Sequence, residues 1–200
     1  MTSFLGRDEL LRAFELLDDE LERMGVQADL FVVGGAAMAV AYDARRATTD
    51  VDAVFVPSKE VRTAALRVAE ELGLEEDWLN DGVKGFLPGE DVEQIGVYEG
   101  ANLHVAAASP KFLLAMKLMA SRTERDMDDI KTLYEICGLT TAEEGLAVLE
   151  SFYPQELILP RVQFCSKKCS RSPHSSQRTM VGRCNSSSQR SVREHIDARN

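Results

Sequence analysis

A pair of glycines and a pair of aspartates are the residues of this sequence best suited to chemistry. Gly34 and Gly35 follow an apolar run typical of a strand, and Asp50 and Asp52 stand at the start of a second apolar run. Side chains alternate faces along a strand, so the two carboxylates are expected on one face, with Cα atoms about 6.5 Å apart. The other face of that strand should lie in the core.

Two like charges at this spacing repel and raise each other's pKa. A divalent cation removes the repulsion, and Mg²⁺ is usually bound by carboxylates together with phosphate oxygens. Glycine lets backbone N–H groups approach a phosphate, and the N-terminus of the following helix adds partial positive charge. The pattern therefore predicts a site for Mg²⁺ and a nucleotide phosphate. Taken singly, the glycines could form only a tight turn, and either aspartate could be only a turn or cap residue.

Strands and helices in alternation must position these groups. The predicted elements are helix 7–24, strand 29–33, helix 36–42, strand 49–56, helix 59–72, strands 94–98 and 102–106, and helices 110–120, 124–137 and 141–152. Ser58 and Ser109 are predicted helix caps, and Thr141 with Glu144 is predicted to form a capping box. The turn at 99–101 should join the last two strands in a hairpin. This order predicts an α/β fold, a small mixed sheet flanked by helices and followed by a C-terminal helical segment. The predicted divisions are an α/β core at 1–108, a helical part packed on it at 109–164, and a tail at 165–200.

The helices predicted at 110–120 and 124–137 carry a second set of charged residues. Lys117 stands in a largely apolar helix, where its stem could simply be buried with its charge in water. Arg122 follows that helix, and Asp126 and Asp129 share a face of the next one, since they are three residues apart. Considered alone, these aspartates would indicate a solvated acidic face.

Taken together, these two segments resemble the minimal nucleotidyltransferase superfamily. The first segment has Gly-Gly after a strand and then Thr-x-Asp-hydrophobic-Asp. The segment from Ser109 to Leu133 resembles the second conserved region of the AbiEii and MenT toxins of toxin–antitoxin systems. The resemblance implies Mg²⁺ on Asp50 and Asp52, and catalytic roles for these two, Lys117 and Asp126, with Asp129 as the substitute for Asp126. It implies nucleotide contacts from six residues: Gly34, Gly35, Thr48, Thr49, Lys117 and Arg122.

The reaction that the resemblance implies is transfer of a nucleotide from an NTP to a hydroxyl, with the tRNA 3′ end as acceptor and a cognate antitoxin as partner. The same kind of site also modifies small aminoglycoside-like molecules or protein side chains. A catalytically silent protein that binds nucleotide for regulation is the alternative from a different class. An RNA acceptor should require a basic patch, for which the sequence offers Arg45, Arg46, Lys111, Lys117, Arg122, Arg125 and Lys131.

Composition divides the chain into an acidic body and a basic tail. The whole chain carries a net charge of −10. Residues 165–200 contain eight basic and two acidic residues, which leaves 15 basic and 31 acidic residues in 1–164. The serine-rich tail is expected to be disordered or non-native. Its cysteines at 165, 169 and 184, with His174, do not match zinc-site spacing. With no predicted membrane span or signal peptide, a cytoplasmic protein is expected.

Overall fold

A mixed five-stranded sheet forms the centre of the protein. A computed structural model gives the structure of residues 4–42, 47–120 and 124–158, with the backbone alone at 124–126. The strands are β1 (Ala28–Val32), β2 (Val51–Val56), β3 (Leu79–Asn80), β4 (Ile95–Glu99) and β5 (Leu103–Ala107). Their order across the sheet is β3-β2-β1-β5-β4. β1 pairs antiparallel with β2 and parallel with β5, while β3 runs parallel to β2 and β4 antiparallel to β5.

Helices complete the fold, and the predicted α/β class is confirmed. They are α1 (Arg7–Met24), α2 (Gly34–Ala37), α3 (Ser58–Leu72), α4 (Pro110–Ala120), α5 (Glu124–Cys137) and α6 (Ala142–Phe152). Helix α2 continues into a π-helical turn, Met38–Tyr42, and a 3₁₀ turn, Gly82–Gly85, follows β3. Within the described residues, no helix combines the length and the apolar character needed to cross a membrane.

The two faces of β2 have different surroundings because its side chains alternate. Val51, Ala53 and Phe55 are fully buried, whereas Asp52 and Val54 on the opposite face are half-buried. Helices α1 and α3 pack on each other and against the sheet. Helix α4 reaches β1 through its Phe112, whose ring meets that of Phe31 edge-on with centroids 5.6 Å apart. Asp52 therefore belongs to the face that is only partly covered.

Several helix ends lie where local sequence signals predict them. Gly25 and Gly138 follow α1 and α5 with φ values of 65° and 67°, the left-handed conformation that glycine adopts without strain. Thr141 opens α6 with the predicted capping box, in which its hydroxyl accepts a hydrogen bond of 3.2 Å from the Glu144 amide. These ends are fixed by contacts within one turn, which is why the sequence alone predicts them.

Two predicted boundaries are corrected. Ser58 does not cap α3: it is the first helical residue, its hydroxyl donates to the Phe55 carbonyl at 3.1 Å, and Pro57 occupies the cap position. Strand β2 begins at Val51 rather than at Thr49, so Asp50 lies in a bend before the strand. The chain turns there because the Thr48 backbone pairs with Leu5, with N···O distances of 2.7 and 2.9 Å.

The first turn of α4 is fixed from both sides. The Ser109 hydroxyl accepts from the Phe112 amide at 3.4 Å, as expected of the predicted cap. In addition, the buried carboxylate of Asp91 accepts from the Ser109 amide at 2.6 Å and from its hydroxyl at 3.0 Å. This second contact comes from a loop before β4 and fixes the start of the helix that carries Lys117.

Candidate active site

The glycine pair forms a turn that comes directly against Asp52. Gly34 has a φ of 63°, and the Val33 amide donates to the Asp52 carbonyl at 2.9 Å, which joins the turn to β2. A Cβ atom on Gly34 would lie 3.3 Å from Oδ2 of Asp52. A Cβ atom on Gly35 would lie 3.0 Å from the Thr48 hydroxyl oxygen. The missing side chains of these two glycines therefore leave room for the Asp52 carboxylate and the Thr48 hydroxyl.

Asp50 is held by the threonines that precede it. Its side chain is exposed, and the Thr49 hydroxyl lies 3.3 Å from Asp50 Oδ1. The Thr48 hydroxyl donates to the Asp50 carbonyl at 3.0 Å and lies 3.5 Å from the same carboxylate oxygen. The two aspartates are thus neighbours, although only Asp52 is part of the strand. In this structure Thr48 and Thr49 contact Asp50, which is a role distinct from the predicted nucleotide contact.

The surroundings of Asp52 perturb its carboxylate. Burial, and secondly the negative charge of Asp50, raise the pKa of Asp52 above its ordinary value of 3.8. A side-chain hydrogen bond from Asn80 and the positive charge of Lys117 lower that pKa in part. The structure therefore brings Asp50, Asn80 and Lys117 within electrostatic reach of Asp52. Asp52 combines burial with a like charge close by, an arrangement that a cation would relieve.

Lys117 and Asp129 form a buried ion pair between α4 and α5. The Lys117 ammonium contacts Oδ2 of Asp129, and their side chains are 14% and 7% exposed. Asp129 is therefore not part of a solvated acidic face, whereas Asp128 is exposed and pairs with Lys131, as expected for the solvated side of α5. The predicted triphosphate-binding lysine thus lies near Asp52 with its ammonium bound to the predicted substitute for Asp126.

Part of the predicted site lies outside the described residues. The residues concerned are Arg45, Arg46 and Arg122, together with the side chains of Arg125 and Asp126. The remaining cations of the predicted basic patch each have a carboxylate neighbour: Lys111 lies 4.0 Å from Glu93, Lys131 lies 3.4 Å from Asp128, and Lys117 pairs with Asp129. The three described lysines of the predicted patch therefore do not form an uncompensated positive surface. The tail at 165–200, with its cysteines, is also outside the described residues.

A cleft of about 770 Å³ opens beside Asp52. This volume is within the range of small-molecule sites. Most of its wall is apolar, contributed by Met116 and Met119 of α4, Phe86 from the loop after β3, and Phe152 of α6. Among the described residues that line the cleft, Asp52 alone has a charged side chain. The cleft can therefore hold an uncharged group next to a carboxylate.

Asn80 lies beside Asp52, and this position was not predicted from the sequence. It is the Cα partner of Asp52 in the β2–β3 pairing, although 28 positions separate the two residues in the chain. The only local signal was the run Asn80-Asp81-Gly82, which is typical of a turn. A two-residue strand has no periodicity, so sequence could not show which residue of this run would face Asp52.

Asp50 and Asp52 are the two described carboxylates suited to hold a metal ion. In the described ranges, no three His, Cys, Asp or Glu side chains come together as a metal site. A two-carboxylate set fits Mg²⁺, which commonly takes one or two carboxylates and completes its coordination with water and phosphate oxygens. The raised pKa of Asp52 and the open space at Gly34 fit a cation that arrives with a nucleotide.

Comparisons with known proteins identify the family. No curated protein sequence matches this chain. The fold has some similarity to the crystal structure of an antigenic nucleotidyltransferase-like protein from Paracoccidioides brasiliensis, with a TM-score of 0.44 and 16% identity, covering 84% of this chain and 98% of that chain. The model of a family described as nucleotidyltransferases of unknown function (DUF6036) matches residues 8–139, well over half of the chain. The chain therefore belongs to this nucleotidyltransferase family.

Proposed function

We propose that the protein is a divalent-cation-dependent nucleotidyltransferase that transfers NMP from an NTP to a hydroxyl acceptor. Family membership supports the reaction class. The observation that carries the proposal is the position of the half-buried Asp52, beside Asp50 and 3.3 Å from the place where Gly34 lacks a Cβ. A nucleotide phosphate at that opening would lie next to both carboxylates and at the side of the cleft.

Asp50 and Asp52 would hold Mg²⁺ together with oxygens of the bound nucleotide. When bound, the cation supplies positive charge that offsets charge on the phosphate oxygens. The protein itself positions the phosphates and offsets their charge. Gly34 and Gly35 leave the backbone open to the phosphates, and the threonine hydroxyls fix Asp50. Lys117 adds positive charge near Asp52, and its ion pair with Asp129 holds the ammonium in place.

The transfer itself exchanges one phosphorus–oxygen bond for another. The acceptor oxygen bonds to the α-phosphorus while the bond from that phosphorus to the pyrophosphate oxygen breaks, and pyrophosphate leaves. The hydroxyl proton passes to a carboxylate, for which Asp126 stays the prediction. Asp129 is less suited to this role because its carboxylate is buried against Lys117.

For the acceptor, we propose the tRNA 3′ end, with the protein acting as the toxin of a toxin–antitoxin pair. The sequence resemblance to AbiEii and MenT toxins supports this acceptor. The apolar wall of the cleft supports it further, since the aromatic ring of Phe86 can stack on a terminal base. A polycationic acceptor such as an aminoglycoside would call for more carboxylates than the cleft presents along its described wall.

The decisive experiment is incubation with each labelled NTP, Mg²⁺ and total tRNA. The wild type should transfer label and release pyrophosphate, and Asp52→Asn should do neither. Asp29→Asn is the matched control, because Asp29 is an exposed aspartate on the neighbouring strand β1. Pyrophosphate release without label on RNA would direct the search to small-molecule or protein acceptors. Binding of Mg·NTP with no pyrophosphate release would indicate a silent regulatory protein instead.

A further inference from the structure

The position of Asn80 is fixed by strand pairing to that of Asp52. The two residues are Cα partners in the parallel pairing of β2 with β3, one step after the Val51–Leu79 pair. The Val51 amide donates to the Trp78 carbonyl at 2.5 Å, which fixes the register at this point. Adjacent side chains on one face of a sheet are close enough to interact directly. Asn80 is thus placed beside the carboxylate by the backbone itself.

The orientation of the Asn80 amide follows from its second contact. Its carbonyl oxygen, Oδ1, accepts a hydrogen bond of 3.1 Å from the Gly82 amide. An amide side chain has one acceptor end and one donor end, and the network decides which way it faces. With the oxygen directed to Gly82, the NH₂ group is the end available to donate to the neighbouring Asp52 carboxylate.

The residues on both sides of Asn80 are anchored to helix α3. Before it, the buried indole of Trp78 donates to the Ala65 carbonyl at 2.9 Å. After it, Asp81 pairs with Arg62 of α3 at 2.5 Å and with Lys84 at 2.8 Å. A strand of two residues would fray without such support, because it has few backbone hydrogen bonds of its own. These anchors let Asn80 act as a fixed donor.

We propose that Asn80 is a positioning residue that holds the Asp52 carboxylate in the orientation in which it binds the divalent cation. This inference rests on the proposed function. Asn80 is the strand-pairing partner of Asp52, so a hydrogen bond donated by its amide would restrict rotation of that carboxylate, whose Oδ2 lies 3.3 Å from the place where Gly34 lacks a Cβ. Partners of this kind orient metal-binding side chains, and their loss weakens metal affinity about 10- to 100-fold.

The test is Mn²⁺ binding to the full-length chain, followed by electron paramagnetic resonance, with Asn80→Ser as the main variant. A serine hydroxyl can still accept from the Gly82 amide but is too short to reach Asp52, so the turn is kept and the donor is lost. Asn80→Ala removes both contacts and serves as the second variant. Asn102→Ala is the control, because Asn102 is a half-buried asparagine in the β4–β5 turn, remote in the sheet from β3.

We expect Mn²⁺ affinity to fall about tenfold in both Asn80 variants and to stay within about twofold of wild type in the control. The unfolding temperature of Asn80→Ser should stay close to that of wild type, which separates positioning from a general loss of structure. Wild-type affinity in Asn80→Ser would overturn the role of Asn80 and leave the proposed function standing. Equal Mn²⁺ affinity in wild type and Asp52→Asn would overturn the proposed function itself.

Discussion

Among single residues, Gly34 is required for two separate reasons, its backbone conformation and the space beside it. Its φ of 63° belongs to the left-handed region, and its missing Cβ leaves Oδ2 of Asp52 unobstructed. Gly34→Ala should therefore lose about 1–2 kcal/mol of unfolding free energy from backbone strain. It should also weaken Mn²⁺ and nucleotide binding, because the new methyl group presses on the carboxylate. Denaturant unfolding and titration of the two ligands measure the two effects.

Gly25 provides the matched control for that substitution. Its φ is 65°, and a Cβ atom there would meet nothing within 4 Å. Gly25→Ala should show a similar loss of stability with unchanged ligand binding. Equal binding by both variants would show that Gly34 serves only the backbone turn.

The carboxylate of Asp52 should make the stability of the ligand-free protein depend on pH. Its folded-state pKa is raised above 3.8, first by burial and then by Asp50, so the native state holds the proton more tightly than the unfolded state. Ionised Asp52 therefore destabilises the protein as pH rises through the raised pKa. Asp52→Asn should unfold at a higher temperature than wild type at neutral pH, and this advantage should vanish as pH falls below 3.8.

Adding a divalent cation should reverse that difference. Wild type should gain about 2.7 kcal/mol of unfolding free energy at a cation concentration 100 times Kd, since the ligand binds the native state alone. Asp52→Asn should gain little, and Asp29→Asn should behave as wild type. Thermal unfolding with and without Mn²⁺ measures both parts. A wild type that does not respond to the cation would indicate a purely structural acidic domain.

Residue types and spacing were sufficient to predict that Gly34 and Asp50 lie near Asp52, because these residues lie close together in the chain on either side of one helix. The predicted extension of the strand to Asp50 was wrong, because the Thr48–Leu5 bridge that turns the chain there joins residues far apart in sequence. The position of Asn80 beside Asp52 was not predicted for the same reason. Sequence periodicity reports a local face, and it does not report which strand lies next to which.

Among the elements, the short strand β3 depends most on contacts from outside itself. Trp78→Phe would remove the indole donor to Ala65 and leave space in the core, at a cost of about 1–3 kcal/mol. Because Trp78 precedes Asn80 by two residues, Mn²⁺ affinity should fall as well. Denaturant unfolding gives the first quantity and metal titration the second. Retention of full affinity would show that the strand pairing alone positions Asn80.

Helix α4 supplies part of the apolar wall of the cleft, and this predicts a substitution that blocks binding without unfolding the protein. Met119→Glu would place a negative charge on the wall near Asp52. Affinity for NTP or for the acceptor should fall about tenfold or more, since an uncharged surface becomes repulsive to phosphate. Leu66→Glu is the control, because Leu66 is an apolar residue of α3, 45% exposed, that does not line the cleft. Equal affinity in both variants would remove the cleft from the binding site.

Several helix ends and the hairpin were predictable because capping residues and turn glycines act within a few positions. The Asp91 contact at the start of α4 and the two-residue length of β3 were not, because both depend on how distant segments meet. The buried pairing of Lys117 with Asp129 was missed in the same way. In sequence, both residues are compatible with exposed positions on their helices.

For the whole molecule, the uneven charge of the chain predicts how it meets RNA. Removal of residues 165–200 takes away a net charge of +6 and leaves −16 on the remainder. Non-specific RNA affinity at low salt should then fall about tenfold or more, and its salt dependence should become shallower, because fewer phosphates are neutralised. Filter binding over a series of salt concentrations measures both. Label transfer to a small acceptor hydroxyl should be retained, which separates RNA capture from chemistry.

Helix α3 contributes no side chain to the cleft, yet it holds Trp78 and Asp81 on either side of Asn80. A protein or drug that displaced this helix slightly would move Asn80, and with it the support that we propose for the Asp52 carboxylate, from a distance. Inhibition of that kind would leave the pocket open and would not compete with substrate. Searches for inhibitors of this family should therefore include molecules that recognise the helix as well as nucleotide mimics.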